Sequence, residues 1–218
     1  MKIPILFDNI AFAIQQGGGI SVVFYELFKR LLHDPEFDID FLEHSKGVNN
    51  FYRKQLSLDN DRIKEIRLPL LLGRYLNPKM GIKHPYVFHS TYYRTSLDKA
   101  ALNVTTVHDF TYELYRDGLP AIVHHWQKGN AVKKSDTIIC ISENTKNDLL
   151  RYFPEIDEKK VRVIYNGVSE EYKIERETPI DLPFDSGSFL LFVGARSHYK
   201  NFRLAVESAA KTGMNLLT

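Results

Sequence analysis

One cysteine and one tryptophan are all that 218 residues contain of those two types, and no apolar run approaches the length of a membrane span. A lone cysteine excludes both a disulfide framework and a cysteine-rich zinc site. Cys140 stands in "TIICIS" among apolar neighbours, which reads as a buried strand residue and fits a reducing cytoplasm. Lys2 followed by "IPILF" has the start of a signal peptide, but Asp8 and Asn9 end the apolar run before an h-region is complete. Charge of one sign is scarce as well: 29 Lys and Arg stand against 27 Asp and Glu, a formal net of +2. That surplus is too small for a nucleic-acid binder, and no aromatic-rich basic stripe of the RNA-binding kind accompanies it. Nucleic acid is therefore not an expected partner.

What is present is the composition of a folded chain, 44% hydrophobic and 26% charged. Short runs rich in Ile, Val and Phe alternate with segments of helical period, the pattern of a parallel sheet with crossover helices. Strands are expected at 3–8, 37–43, 63–69, 86–90, 103–109, 136–142 and 161–168. The expected fold class is thus α/β, a Rossmann-like parallel sheet with flanking helices. Between the first two strands, Val23, Leu27 and Leu31, with Phe24 and Phe28 beside them, form an apolar stripe opposite Glu26, Lys29 and Arg30. A second helix is expected over 142–153, with Ser142 as its N-cap.

The pattern divides the chain into a domain at 1–170, a polar linker with two prolines at 171–187, and the start of a second domain at 188–218. In that last stretch "FLLFVGA" reads as a strand, "KNFRLAVESAAKTG" as a helix closed by a glycine, and "MNLLT" as another strand. So short a segment cannot build a core of its own. The expectation is a second Rossmann-like domain cut off after its opening.

In an open parallel sheet, ligands bind outside the carboxyl ends of the strands. Those ends are polar here: His89 and Ser90, His108 and Asp109, Ser142 and Glu143, Asn166 and Gly167. Gly17, Gly18 and Gly19 follow the first strand and precede the first helix, so they belong to the same edge. Bare backbone at a helix N-terminus lets an anion approach main-chain N–H groups at the positive end of the helix dipole. A tight turn explains the glycines equally well, and Ser142 and Asp109 also read as caps. The run is no Walker loop, because Ile20 and Ser21 stand where Lys and Ser or Thr are required. It is a poor dinucleotide fingerprint too, with Val22 in place of the third glycine. Two Asp-x-Asp strings, Asp38 to Asp40 and Asp59 to Asp61, read as solvated rather than metal-binding.

Taken in order, the glycine run, "TTVHDFTYELY", "SDTIICISENTKNDLLRYFPEIDEKKVRVIYNGV" and "FLLFVGARSHYKNF" resemble the retaining glycosyltransferases of family 4, which have the two-domain GT-B fold. The resemblance covers nearly the whole chain. It implies a nucleoside-diphosphate sugar lying between two Rossmann-like domains, held mostly by the second, with the first domain receiving a glycan or lipid-linked acceptor. By that resemblance Gly17, Gly18 and Gly19 approach the donor phosphates or sugar, and His108 contacts the transferred sugar. In the second domain the family commonly has Gly-Arg with a Lys six residues after the Gly. Gly194 and Lys200 match that spacing, while Ala195 replaces the Arg and Arg196 comes one place later. The family's paired glutamates would lie past Thr218.

The implied chemistry is transfer of the sugar to an acceptor hydroxyl with retained configuration, in polysaccharide or lipid-linked glycan synthesis. Its barrier lies in separating a diphosphate from an oxocarbenium-like sugar, so cations and N–H dipoles aimed at the phosphate are the main contribution of the protein. Arg196, Lys200 and the glycine loop suffice for that without a metal or cofactor. His89, Ser90, Asp109, Ser142 and Asn166 are the acceptor-side candidates. With most of the donor half missing, the 218-residue chain alone is expected to be inactive, and a non-catalytic domain binding a glycan or phosphosugar is the alternative reading.

Residues 53–83 carry eight basic residues against three acids, interleaved with Tyr75, Leu70, Leu71, Leu72 and Leu76. Such a mixture suits an anionic membrane surface on the cytoplasmic side; core leucines under a solvated charged face are the other explanation.

Overall fold

The computed structural model describes residues 2–169, 172, 188–196 and 198–218. They fall into two compact units, 1–169 and 170–218. The linker expected over 171–187 lies, Tyr172 apart, outside the described residues.

The first unit is a seven-stranded, wholly parallel sheet built from β1 (Ile3–Asp8), β2 (Phe37–His44), β3 (Ile63–Ile66), β4 (Tyr86–Ser90), β5 (Ala101–Val107), β6 (Thr137–Cys140) and β7 (Val161–Val163). Their order, β3-β2-β1-β4-β5-β6-β7, is Rossmann-like and reverses direction between β1 and β4. The crevice of such a sheet opens at that switch point. All seven expected strands exist, but several are shorter than the apolar runs suggest. β5 closes at Val107, so His108 and Asp109 lie just past it, and β7 closes at Val163, well before Asn166.

Helix α1 (Ile10–Ile14) follows β1 directly, and α2 (Gly19–Leu31) returns the chain to β2. The buried face of α2 is Ser21, Phe24 and Phe28, with Leu27 and Leu31 half-buried beside it. The stripe is thus centred one residue away from Val23, Leu27 and Leu31, because the phenylalanines fill the space over β1 and β2. Phe28 meets Phe7 edge-on at 4.7 Å and Phe41 at 5.1 Å, in an aromatic core that also holds Phe12. Edge-to-face pairs of this kind contribute about 0.5–1.5 kcal/mol each beyond their burial.

The other half of the sheet is covered by α5 (Leu119–Lys134) and α6 (Glu143–Tyr152), after the short α3 (Leu70–Gly73) and α4 (Thr111–Tyr115). Ala131, Val132, Leu149 and Phe153 pack with Val107, Ile138 and Cys140. Gly129 lets α5 come this close: a Cβ there would sit 2.8 Å from a ring carbon of Phe153. Cys140 is fully buried, and burial pushes its thiol pKa up to about 12, which leaves it an inert core residue.

In the second unit β8 (Phe189–Leu191) pairs in parallel with β9 (Asn215–Leu217) around α7 (Phe202–Thr212). Gly213, with φ 66°, closes α7 in the left-handed conformation expected of a glycine cap.

Candidate functional site

The glycine run forms an exposed turn that opens α2. Gly18 is the N-cap with φ 154°, a backbone that side chains rarely adopt, and a Cβ there would meet the Gln15 amide oxygen at 2.8 Å. Gly19 begins the helix and faces open space. No side chain caps this N-terminus and no acid stands in its first turn, so its leading N–H groups and dipole face outward. The turn is held from below. Asn50 donates to the Gln15 carbonyl at 2.8 Å and to Ser21 Oγ at 3.0 Å, Gln15 donates to the same hydroxyl at 2.9 Å, and Phe51 N–H donates to the Gln16 carbonyl at 2.8 Å. Arg53 braces that supporting segment through a bidentate pair with buried Glu43 at 2.7 and 2.9 Å, and Glu43 also accepts from Asn9 at 2.6 Å.

At the switch point itself, Asp8 and Arg94 form a fully buried ion pair. Arg94 Nε donates to Asp8 Oδ2 at 2.8 Å and Ser90 Oγ donates to the same oxygen at 2.7 Å. Arg94 Nη1 reaches the Gly73 carbonyl at 2.6 Å, tying the α3 segment to the end of β4. Thr91 Oγ1 donates to the Asp8 carbonyl at 2.8 Å and accepts from Ala11 N–H at 2.9 Å, which sets the exit of β1 into α1.

His108 follows β5 and packs its ring 6.2 Å from that of Phe24. Phe24 lies five residues into α2, about 7.5 Å of helix rise from Gly19, so the imidazole rests against the first turns of the helix that the glycines open. Burial pulls the His108 pKa down to about 4, with Asp109 opposing only weakly, and its Nε2 is buried without a hydrogen-bond partner. It is neutral at neutral pH, with one ring nitrogen uncommitted. The loop beyond it is anchored by Lys128, whose buried ammonium donates to the Asp109 carbonyl and to Glu113 Oε2, both at 2.8 Å, and lies 4.0 Å from the Phe110 ring centroid. Burial pushes the Glu113 carboxyl up, but His124 and Lys128 outweigh it and hold the pKa at about 2.

The other candidates divide. His89 is buried, hydrogen-bonded to Thr106 Oγ1 at 2.9 Å and packed against Phe7 and Phe24, so its ring is part of the wall beneath His108. Ser90 is also buried, its hydroxyl donated to Asp8, so these two acceptor-side candidates lie within the packed end of the sheet. Ser142 acts as the N-cap of α6, accepting from Thr145 N–H at 3.1 Å. Asp109 is exposed, its carboxylate accepting from Thr111 N–H at 2.9 Å, and Asn166 is exposed on the stretch after β7. In the second unit, Arg196 is exposed, donates to Thr218 Oγ1 at 2.6 Å and lies over Phe202, while Lys200 is exposed beside Tyr199. Asp38 and Asp40 pair with Arg62 and Lys64, and Asp59 caps the turn at 60–62. Among the described residues no group of three His, Cys, Asp or Glu side chains is placed to hold a metal.

Sequence reasoning missed Asp8, Arg94, Glu113 and Lys128, and the pairing of Glu43 with Arg53. Asp8 alone carried a signal, as a charged residue ending the first apolar run. The others find their partners only across the fold.

The two histidines make the fold acid-sensitive. Burial lowers the pKa of each from 6.5 to about 4, and His108 adds to the shift of His89. Over that interval the unfolded chain binds more protons, so the contribution is fully present above pH 6.5 and is lost as pH falls toward 4. The upper limit is about 3 kcal/mol per histidine. Urea unfolding of the chain is expected to show a lower midpoint at pH 5 than at pH 7.5, with a smaller difference in His89→Gln. Equal midpoints at the two pH values would contradict the burial argument.

An open, wholly parallel sheet in this order, with the uncapped N-terminus of α2 at its carboxyl edge, defines a Rossmann-like α/β protein. Within that class the particular assignment is clear: the model of Glycosyltransferase Family 4 matches residues 17–172, from the first glycine of the turn through β7, and the chain belongs to that family. It is a glycosyltransferase domain, and its substrates are a sugar donor and an acceptor. No curated protein matches this chain.

Proposed function

We propose that this chain contributes the acceptor side and the opening of the donor side of a retaining hexosyltransferase that uses a nucleoside-diphosphate sugar. The observation that carries the reading is His108, a neutral imidazole whose Nε2 has no protein partner, packed against the helix whose bare N-terminus suits a phosphate. The outward N–H groups of Gly19 and its neighbours stabilise negative charge as the diphosphate leaves. Arg196 and Lys200 of the second unit are the candidate cations for the diphosphate, on the family resemblance. His108 hydrogen-bonds a hydroxyl of the transferred sugar, and the acceptor hydroxyl attacks from the leaving-group face, losing its proton to a phosphate oxygen. The product retains its anomeric configuration, and no protein nucleophile is involved.

The test is transfer from a panel of nucleoside-diphosphate hexoses by the protein, with the anomeric centre of the product read by NMR. Turnover with retention is expected. Inversion would refute the mechanism; binding of sugars without turnover would favour a non-catalytic glycan-binding domain.

We place the reaction in polysaccharide or lipid-linked glycan synthesis at the cytoplasmic face of a membrane. Among the described residues no helix is long and apolar enough to cross a bilayer. Residues 53–83 support contact with its surface, though not as evenly as the charge count suggests. Arg53, Arg62 and Lys64 are engaged by Glu43, Asp38 and Asp40, all outside that stretch. The leucines, however, are not core: Leu71, Leu72 and Leu76 are 75%, 57% and 52% exposed. Apolar insertion by the α3 segment, assisted by Lys54, Lys79 and Lys83, is the stronger term. The chain is expected to cosediment with anionic vesicles, to release as salt approaches ~0.5 M, and to bind less well when Leu71 and Leu72 are changed to Glu. Indifference to vesicle charge, or no binding at all, favours a soluble acceptor.

A further inference from the structure

A groove of about 330 Å³ runs beside the loops that follow β4 and β5, lined by Arg74, Tyr75, Tyr92, Tyr112, Val123 and Gln127 among others. Tyr92 comes two residues after the end of β4, and Tyr112 is the fourth residue after His108. The groove therefore adjoins the edge that carries His108.

Its polar content is unbalanced. The Arg74 guanidinium lies 4.8 Å from the Tyr75 ring centroid and 5.9 Å from that of Tyr92. Among the described residues no carboxylate pairs with it, and its Nε is buried without a hydrogen-bond partner. Arg53 and Arg94, by contrast, are both matched by acids. The walls are set rather than loose. Gln127 donates to the Arg74 carbonyl at 2.7 Å, and the Tyr112 ring stacks on His124 at 4.1 Å and 12°. Burial pushes the Tyr92 phenol up to about 12, so its hydroxyl stays protonated and available as a donor.

Tyrosine faces accept the C–H faces of a sugar ring, and their hydroxyls take part in hydrogen bonds with its rim. A guanidinium with free donors recognises a planar carboxylate or a phosphate, whereas a neutral ligand that covered it would leave those donors unsatisfied. Resting on the transferase reading, we propose that this groove receives the acceptor as an anionic sugar, a ring bearing a carboxylate or a phosphate that pairs with Arg74 while the ring lies against Tyr92 and Tyr112. Anionic selection thus occurs on the same edge as transfer, through groups separate from those that hold the donor.

The experiment is saturation-transfer NMR on the 218-residue chain, without any donor, using D-glucuronate, glucose 1-phosphate and glucose. At least one anion is expected to bind about tenfold more tightly than glucose, the effect of one charged hydrogen-bonding pair, and the tighter anion identifies carboxylate or phosphate as the recognised group. Arg74→Gln should erase the preference for the anion. Val123→Trp, which fills the groove without removing a polar partner, should abolish binding of all three, with the fold checked by circular dichroism. Equal binding of glucose, no binding of either anion, or anion binding untouched by both substitutions would overturn the proposal. Because no nucleotide sugar and no turnover are involved, that failure would leave the transferase reading standing, and failure of transfer would leave this result intact.

Discussion

Replacing Asp8 with alanine is expected to remove about 3–5 kcal/mol of folding stability, the cost of leaving a buried charge without its partner. Asp8 is 0% and Arg94 2% exposed, so in the variant the guanidinium cannot turn to water without opening the end of the sheet. Ser90 Oγ loses its acceptor at the same time, leaving a second buried polar group unsatisfied. A domain typically has about 5–15 kcal/mol in total, so the loss is a large share of what is available. Urea unfolding of the chain measures it. If Asp8→Ala proves too unstable to purify, Arg94→Met removes the charge and leaves Asp8 with the Ser90 hydrogen bond. The double variant Asp8→Leu with Arg94→Met should lose less than the sum of the single changes, because neither charge is then stranded. A cost below about 1 kcal/mol for Asp8→Ala would mean that solvent reaches the pair.

On the proposed mechanism, His108→Ala and Lys200→Ala should each lower kcat/KM of transfer by about 100-fold, the usual size for losing one electrostatic partner of the transition state. The two effects have different origins. Burial holds His108 neutral, with a pKa near 4, so the hydrogen bond proposed for it should not titrate between pH 6 and 8. The role proposed for Lys200 is charge toward the leaving diphosphate, so its loss should fall mainly on kcat rather than KM. His108→Gln keeps a donor and an acceptor and should recover part of the activity. Wild-type kinetics in either alanine variant removes that residue from the mechanism, and an activity that titrates near pH 6.5 in the wild type but not in His108→Gln would show that the imidazole is solvated.

Elements whose signal is local could be read directly. Seven apolar runs announced seven strands, three glycines before an amphipathic stripe announced the start of α2, and Gly213 announced the end of α7. Each rests on neighbours in the chain, on side-chain period or on the φ that glycine permits. Strand ends were overextended because apolar residues continue past the last ladder bond, as they do after Cys140 and Val163. His108 was recognisable as a strand-end histidine beside "HDF", yet its neutrality was not, since that depends on burial among α2 and β4.

By itself, the sequence determined an α/β parallel fold, a bare-backbone turn at the head of α2, an inert single cysteine and a set of polar residues along one edge. Tertiary structure alone decided which of those polar residues face outward. His89 is buried against Phe7 and Phe24 and Ser90 against Asp8, whereas Asp109 is exposed. It also decided every buried ion pair: Asp8 finds Arg94, Glu43 finds Arg53 and Glu113 finds Lys128. The reason is physical. Period and turn preference are properties of a few consecutive residues, whereas burial and charge pairing depend on which distant segments the sheet order brings together, and a buried charge is tolerated only where that order supplies its partner.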